Sequence, residues 1–121
     1  MRYDSQIVVE SKTIRNVRFT IRRLSFGRRL ELARKIRDLA SRIEYLEAGN
    51  DPKEKMTAAL LSREVDEIYL RWGLASVEGL ELDGVAATPE TLLQDGPEDL
   101  VNQALEAIRA QFGLSEDERK N

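Results

Sequence analysis

The spacing of hydrophobic positions changes along this chain, and each change marks an element. Ile7-Val8-Val9 is a short β-branched run, and Val17, Phe19 and Ile21 alternate with Arg18, Thr20 and Arg22. That period of two is the mark of a strand with one wet face. The pair predicts an N-terminal β-hairpin turning around residues 11–16, a loop without the Asn-Gly or Asp-Gly dipeptide that would fix its turn type. Ser25 then stands as an N-cap ahead of Phe26, Leu30, Ala33, Ile36, Leu39, Ala40, Ile43 and Leu46, steps of three and four that predict an amphipathic helix. Ala48-Gly49-Asn50 stops it. Asp51-Pro52-Lys53-Glu54 opens a second helix with a capping Asp, a proline in the first turn and a Glu placed to reach back. Its apolar side is Met56, Leu60, Leu61, Val65, Ile68 and Trp72, and Gly73 ends it.

Two helices of this length joined by a short loop pack antiparallel, each about 30 Å long at ~1.5 Å per residue. Beyond them the pieces shorten. Asp83-Gly84 between Leu80-Glu81-Leu82 and Val85-Ala86-Ala87 predicts a tight hairpin, because both central positions of the favoured turn need positive φ. Thr88-Pro89-Glu90 caps a single-turn helix over Leu92-Leu93, and Gly96-Pro97-Glu98 opens another carrying Val101, Ala104, Leu105, Ile108 and Phe112 up to Gly113. Ser115–Glu118 reads as a capping box with no helix after it, a pattern of a frayed end or of a tail that orders on a partner. The fold class expected is α+β and mainly helical: β-hairpin (1–24), long antiparallel helical hairpin (25–74), small second β-hairpin with short C-terminal helices (75–113), and tail (114–121). At 121 residues these fit one domain.

Composition narrows the chemistry. The chain has no cysteine and no histidine, which removes disulfides, thiolate nucleophiles, the commonest general base and the commonest nitrogen ligand for metals. No catalytic, cofactor-binding or metal-binding set is proposed from the residues. Glu64 and Glu67 are an i, i+3 acidic pair of the kind that ordinarily sits on a helix surface. No window approaches a membrane span and the N-terminus has no apolar h-region, so a soluble, intracellular protein is expected. Trp72 is read as the last knob of the second helix, with an anchor at a protein–protein surface as the other reading.

Net charge is only −3, but it is unevenly spread. Residues 13–42 hold ten basic side chains against Glu31 and Asp38, a surplus of eight, whereas residues 76–118 hold eleven acidic ones against Arg109. Either the halves attract each other or each faces a different partner. Nucleic-acid binding through 13–42 is the alternative function this suggests. The scatter of its arginines over a strand and several helix faces, the pI near 5.1 and the lack of a known nucleic-acid-binding signature weigh against it.

VRFTIRRLSFGRRLELARKIRDLASRIEYLEAG (17–49), DEIYLRWGL (66–74), VEGLELDGVAATPETLL (77–93), GPEDLVNQALEAI (96–108) and LSEDERKN (114–121) together resemble the tail assembly chaperones of long-tailed bacteriophages and prophages. The resemblance implies a non-enzymatic role in the host cytoplasm: binding the long helical tape measure protein, helping recruit major tail tube subunits around it, and leaving before the virion is complete. It leaves self-association open and carries over no individual binding residue. A chaperone for such a rod needs a helical surface with apolar grooves flanked by charge. The outer face of residues 25–48 is therefore the expected contact surface, with Phe26 and Tyr45 near its ends and Arg29, Arg37 and Arg42 between. Members of the class often extend their C-terminus by ribosomal frameshifting, and Arg119-Lys120-Asn121 can be encoded by a slippery A-AAA-AAC run.

Overall fold

The N-terminal sheet has three strands where alternation predicts two. In the computed structural model, which describes residues 1–112, β1 (Gln6–Glu10) and β2 (Arg18–Arg22) pair antiparallel, Ile7 opposite Ile21 and Val9 opposite Phe19. The third strand, β3 (Leu74–Glu78), follows the helices in sequence and pairs antiparallel with the other edge of β2, giving the order β1-β2-β3. Its register shifts between Thr20 and Ile21: Thr20 faces Ser76 and Ile21 faces Leu74. Ala75 is the extra residue of this bulge, which lets Leu74 and Val77, three apart, both turn inward.

Helix α1 (Phe26–Glu47) and helix α2 (Pro52–Gly73) have 22 residues each and form the long helical hairpin. Ser25 caps α1 by accepting the Arg28 N–H, and Asp51 accepts the Lys53 N–H at the start of α2. Strand β3 begins at the residue after α2, with no loop between. The last turn can come this close because residue 73 is glycine: a Cβ there would lie 2.8 Å from the Ile108 side chain.

Strands β4 (Glu81–Leu82) and β5 (Val85–Ala86) make the second hairpin, with Asp83 at φ 54° and Gly84 at φ 79°, the paired positive φ that the Asp-Gly dipeptide predicts. Helix α3 (Pro89–Asp95) is longer than the single turn expected and begins in a capping box in which Thr88 and Thr91 each satisfy the other's backbone N–H. Helix α4 (Glu98–Ala110) closes the described chain. The α+β class and its main elements are as expected. Ser115–Glu118, the tail and the slippery-codon reading lie outside the described residues.

The chain divides into two compact units whose boundary differs from the 25–74 span read as one helical hairpin. Ser25–Tyr69 is one unit; Met1–Leu24 with the chain from Leu70 onward is the other. The last turn of α2 belongs with the sheet because Leu70, Trp72 and Gly73 are buried there beside Leu74. Trp72 is thus a core residue, as its place at the end of an apolar stripe suggests.

In the sheet unit, α4 lies on β2 and α3 on β3 and β4. Phe19 and Ile21 point from β2 toward this layer, and with Leu92, Leu100, Ala104 and Ile108 they are wholly shielded from water. Burying a side chain of this size contributes roughly 1.5–3 kcal/mol before entropy is counted. The helical unit is built differently. Its shielded aliphatic positions are Leu32, Ile36, Leu39, Ile43 and Leu46 on α1 and Ala58, Leu61, Val65 and Ile68 on α2, alternating steps of three and four, with Asp66 buried beside them. That is a narrow seam along the helical hairpin. The broader stripe predicted from sequence is corrected here: Phe26, Leu30, Ala33, Ala40, Met56 and Leu60 all remain exposed.

Candidate partner-binding surfaces

The helical unit offers apolar side chains that its own packing does not use. On α1, Phe26, Leu30, Ala33 and Ala40 are exposed and follow one another at helical spacing, a second stripe beside the seam. Phe26 is 83% exposed, so the fold covers little of this phenylalanine. Met56 at 74% and Leu60 at 63% are similarly open on α2. A helix of this kind has more apolar face than its intramolecular partner covers.

Of the five residues named from sequence as contacts, helix geometry brings three together. At about 100° per residue, Arg29 borders the stripe begun by Phe26 and Arg37 falls within it, whereas Arg42 and Tyr45 fall on a different side of α1. Tyr45 is exposed as expected, but it stands roughly 29 Å along the axis from Phe26 at ~1.5 Å per residue. Phe26, Arg29 and Arg37 therefore belong to one surface, and Arg42 and Tyr45 to another. Leu30, Met56 and Leu60 are the candidates that sequence reasoning missed. Periodicity placed them in the core, and the signal against it was their excess over a strict three-four seam.

The uneven charge is partly balanced inside the sheet unit. The strand register sets Arg18 between Glu10 on β1 and Glu78 on β3, a cross-strand arrangement of opposite charge on the face away from α4. Lys12 reaches Glu106 at 3.9 Å, and Arg71 pairs with Glu90. This guanidinium holds the Glu90 carboxyl below its ordinary pKa, by hydrogen bonding first and charge second. On α1 itself Arg28 meets Glu31 at 3.1 Å and Arg37 meets Asp38 at 3.7 Å. Glu31 and Asp38 are already counted in the surplus of residues 13–42, and Lys12 and Arg71 lie outside that segment, so of these contacts Arg18 alone offsets it with acids from elsewhere in the chain.

Within the sheet unit, a groove of about 420 Å³ runs between β1 and α4. Its floor is apolar, from Ile7, Val9, Phe19, Ala107 and Ala110, and Glu10 and Lys12 stand at its side. Gln103 of α4 and Gln111, the residue that caps its C-terminus, fix its walls. Gln103 accepts from the Ser11 hydroxyl at 3.0 Å and the Lys12 N–H at 2.9 Å, and donates to Thr13 at 2.8 Å and Asp99 at 3.0 Å. Gln111 accepts the Leu24 N–H at 3.0 Å and donates to the Arg22 carbonyl. The two ends of the β1–β2 hairpin are thereby tied to α4.

Among the described residues no three His, Cys, Asp or Glu side chains come together to hold a metal ion, and no helix is long and apolar enough to cross a membrane. In comparisons with family models, with curated proteins and with solved structures, nothing matches this chain.

Proposed function

We propose that this chain is a non-enzymatic assembly chaperone of a long-tailed bacteriophage or prophage, acting in the host cytoplasm. It holds the tape measure protein, helps bring major tail tube subunits to it, and is released before the particle matures. The observation that carries this reading is the unpartnered stripe of Phe26, Leu30, Ala33 and Ala40 on a helix whose seam lies elsewhere. A long amphipathic rod is kept in solution by a surface that covers its apolar stripe with another helix face. Side chains already exposed in the free chaperone are ready for that contact. Arg29 at the border of the stripe and Arg37 within it favour a partner helix that carries acidic side chains beside its apolar ones.

The test is co-expression with the tape measure protein and affinity capture at rising salt. Phe26→Glu with Leu30→Glu abolishes capture while leaving the chaperone's melting temperature close to wild type. Charge reversal of Arg29 and Arg37 weakens capture, and does so more than reversal of Arg42. Capture of the tape measure that survives both sets of changes overturns the reading. So does tight binding of DNA or RNA that falls steeply with salt, the behaviour of a protein neutralising phosphates.

A further inference from the structure

We propose that two copies of this chain associate through β1, pairing antiparallel about a two-fold axis at Val8 to join their sheets into one of six strands. The inference is independent of the chaperone reading and concerns a different unit from the helical stripe.

Strand β1 is an edge. The Ser11 N–H donates to the Val17 carbonyl and the Arg23 N–H to the Ser5 carbonyl, at 2.8 and 2.7 Å. Odd-numbered residues of β1 therefore turn their backbone groups toward β2. By alternation, the N–H and C=O groups of Gln6, Val8 and Glu10 point to the open side. This edge is lightly protected: β1 has no proline, no lysine and no bulge, its one charge is Glu10 at the end, and its central outward side chain is Val8, 63% exposed.

The sequence around Val8 is complementary to its own reverse. In Asp4-Ser5-Gln6-Ile7-Val8-Val9-Glu10-Ser11-Lys12, a two-fold at Val8 sets Ile7 opposite Val9, Gln6 opposite Glu10, Ser5 opposite Ser11 and Asp4 opposite Lys12 of the second copy. Every pair is apolar with apolar, polar with polar, or acid with base. The parity also fits, because residues with open backbone groups, six, eight and ten, then face one another and make about six inter-chain hydrogen bonds. Val8 stacks on Val8 of the second copy on the outer face. Ile7 and Val9, which line the apolar groove, extend it across the axis. A partner with an unrelated extended segment would gain the backbone bonds alone; a second copy also gains this side-chain match.

The chain lacks cysteine, so a single introduced thiol reports the contact cleanly. Hydrogen-bonded antiparallel partners have Cα atoms about 5.5 Å apart, within disulfide range. V8C is expected to cross-link to a dimer under mild oxidation. V85C, at a comparably open site (68%) on β5, is the control and stays monomeric. Sedimentation of the unmodified chain is expected to show a concentration-dependent dimer. V8P removes an N–H that faces outward and not toward β2, so it spares the β1–β2 ladder and weakens the dimer at least about tenfold.

Gln6 separates register from general damage because it faces Arg22 within the chain and Glu10 across the axis. Q6E is expected to weaken the dimer while leaving the fold as stable or slightly more so, and Q6K to do the reverse. A chain that stays monomeric at high micromolar concentration overturns the proposal. Equal cross-linking of V8C and V85C, or a dimer indifferent to V8P and to both Gln6 variants, also overturns it.

Discussion

The sheet unit and the helical unit have similar proportions of apolar sequence and use them in opposite ways. In the sheet unit, residues from β2, β3, α3 and α4 meet in a core where Phe19, Ile21, Leu92, Leu100 and Ile108 are wholly enclosed. In the helical unit, of the apolar side chains only Leu32, Ala58 and Leu61 are fully buried, and Phe26, Leu30, Met56 and Leu60 face outward. A two-layer arrangement can close around a side chain from several directions, whereas two helices shield only the narrow strip where they meet. The difference teaches how architecture sets enclosure: the sheet unit closes a core around its largest side chains, and the helical unit leaves a row of its own at helical spacing outside.

The largest effects should come from breaking the enclosed core. Phe19→Ala or Ile108→Ala is expected to cost about 3–5 kcal/mol, from lost transfer energy and the cavity left behind, read by urea denaturation. Leu39→Ala or Ile43→Ala in the half-buried seam is expected to cost clearly less, about 1–2 kcal/mol, because water already reaches those side chains. Equal costs in the two units would erase the comparison. Amide hydrogen exchange sharpens it: β2 and α4 should exchange with free energies near the global value, and the middle of α1 well below it.

A second, smaller set of effects tests how the sheet unit is tied together. Gly79 lies at φ 82°, and a Cβ there would stand 1.9 Å from the Asn16 carbonyl oxygen. Gly79→Ala should therefore cost about 1–3 kcal/mol through strain and displaced backbone. Gln103→Ala leaves the Lys12 N–H and its hydroxyl neighbours without the shared amide, and should cost about 1–2 kcal/mol. By contrast Phe26→Ala should fall within about 0.5 kcal/mol of wild type, since its ring is exposed. If Phe26→Ala destabilises as much as Phe19→Ala, the stripe is part of a core and not a recognition surface.

How much of this was legible in the sequence depends on whether a feature is local. The Asp83-Gly84 turn, the Ser25 cap and the end of α2 at Gly73 are written in a few adjacent residues. The third strand was not legible. Leu74-Ala75-Ser76-Val77 breaks the period of two because the bulge at Ala75 adds a residue, and its partner β2 lies more than fifty positions earlier. The candidate contact surface was half legible for a related reason. Periodicity shows that a helix side is apolar, but not how wide a strip the neighbouring helix can cover. Leu30, Met56 and Leu60 were thus assigned to packing, and Arg42 and Tyr45 were grouped with Phe26 despite the helical phase that separates them. The paired glutamines Gln103 and Gln111 left no periodic trace at all, because their partners lie some ninety residues away.

The smallest effect concerns the pair Arg71–Glu90, which joins the last turn of α2 to α3 within the sheet unit. Arg71 lowers the Glu90 pKa below that of the unfolded chain, so the unfolded state binds the proton more readily. The stabilisation is complete above the unfolded carboxyl's pKa, about 4.3, and is lost as pH falls through the lower folded value. Glu90→Gln should therefore melt slightly below wild type at pH 7, with the gap closing in acid once Glu90 is protonated in both states. The pair is solvent-exposed, so added salt should also narrow the gap at pH 7. A gap that stays the same in acid and in high salt would mean that Glu90 contributes by packing against α2 and not by its charge.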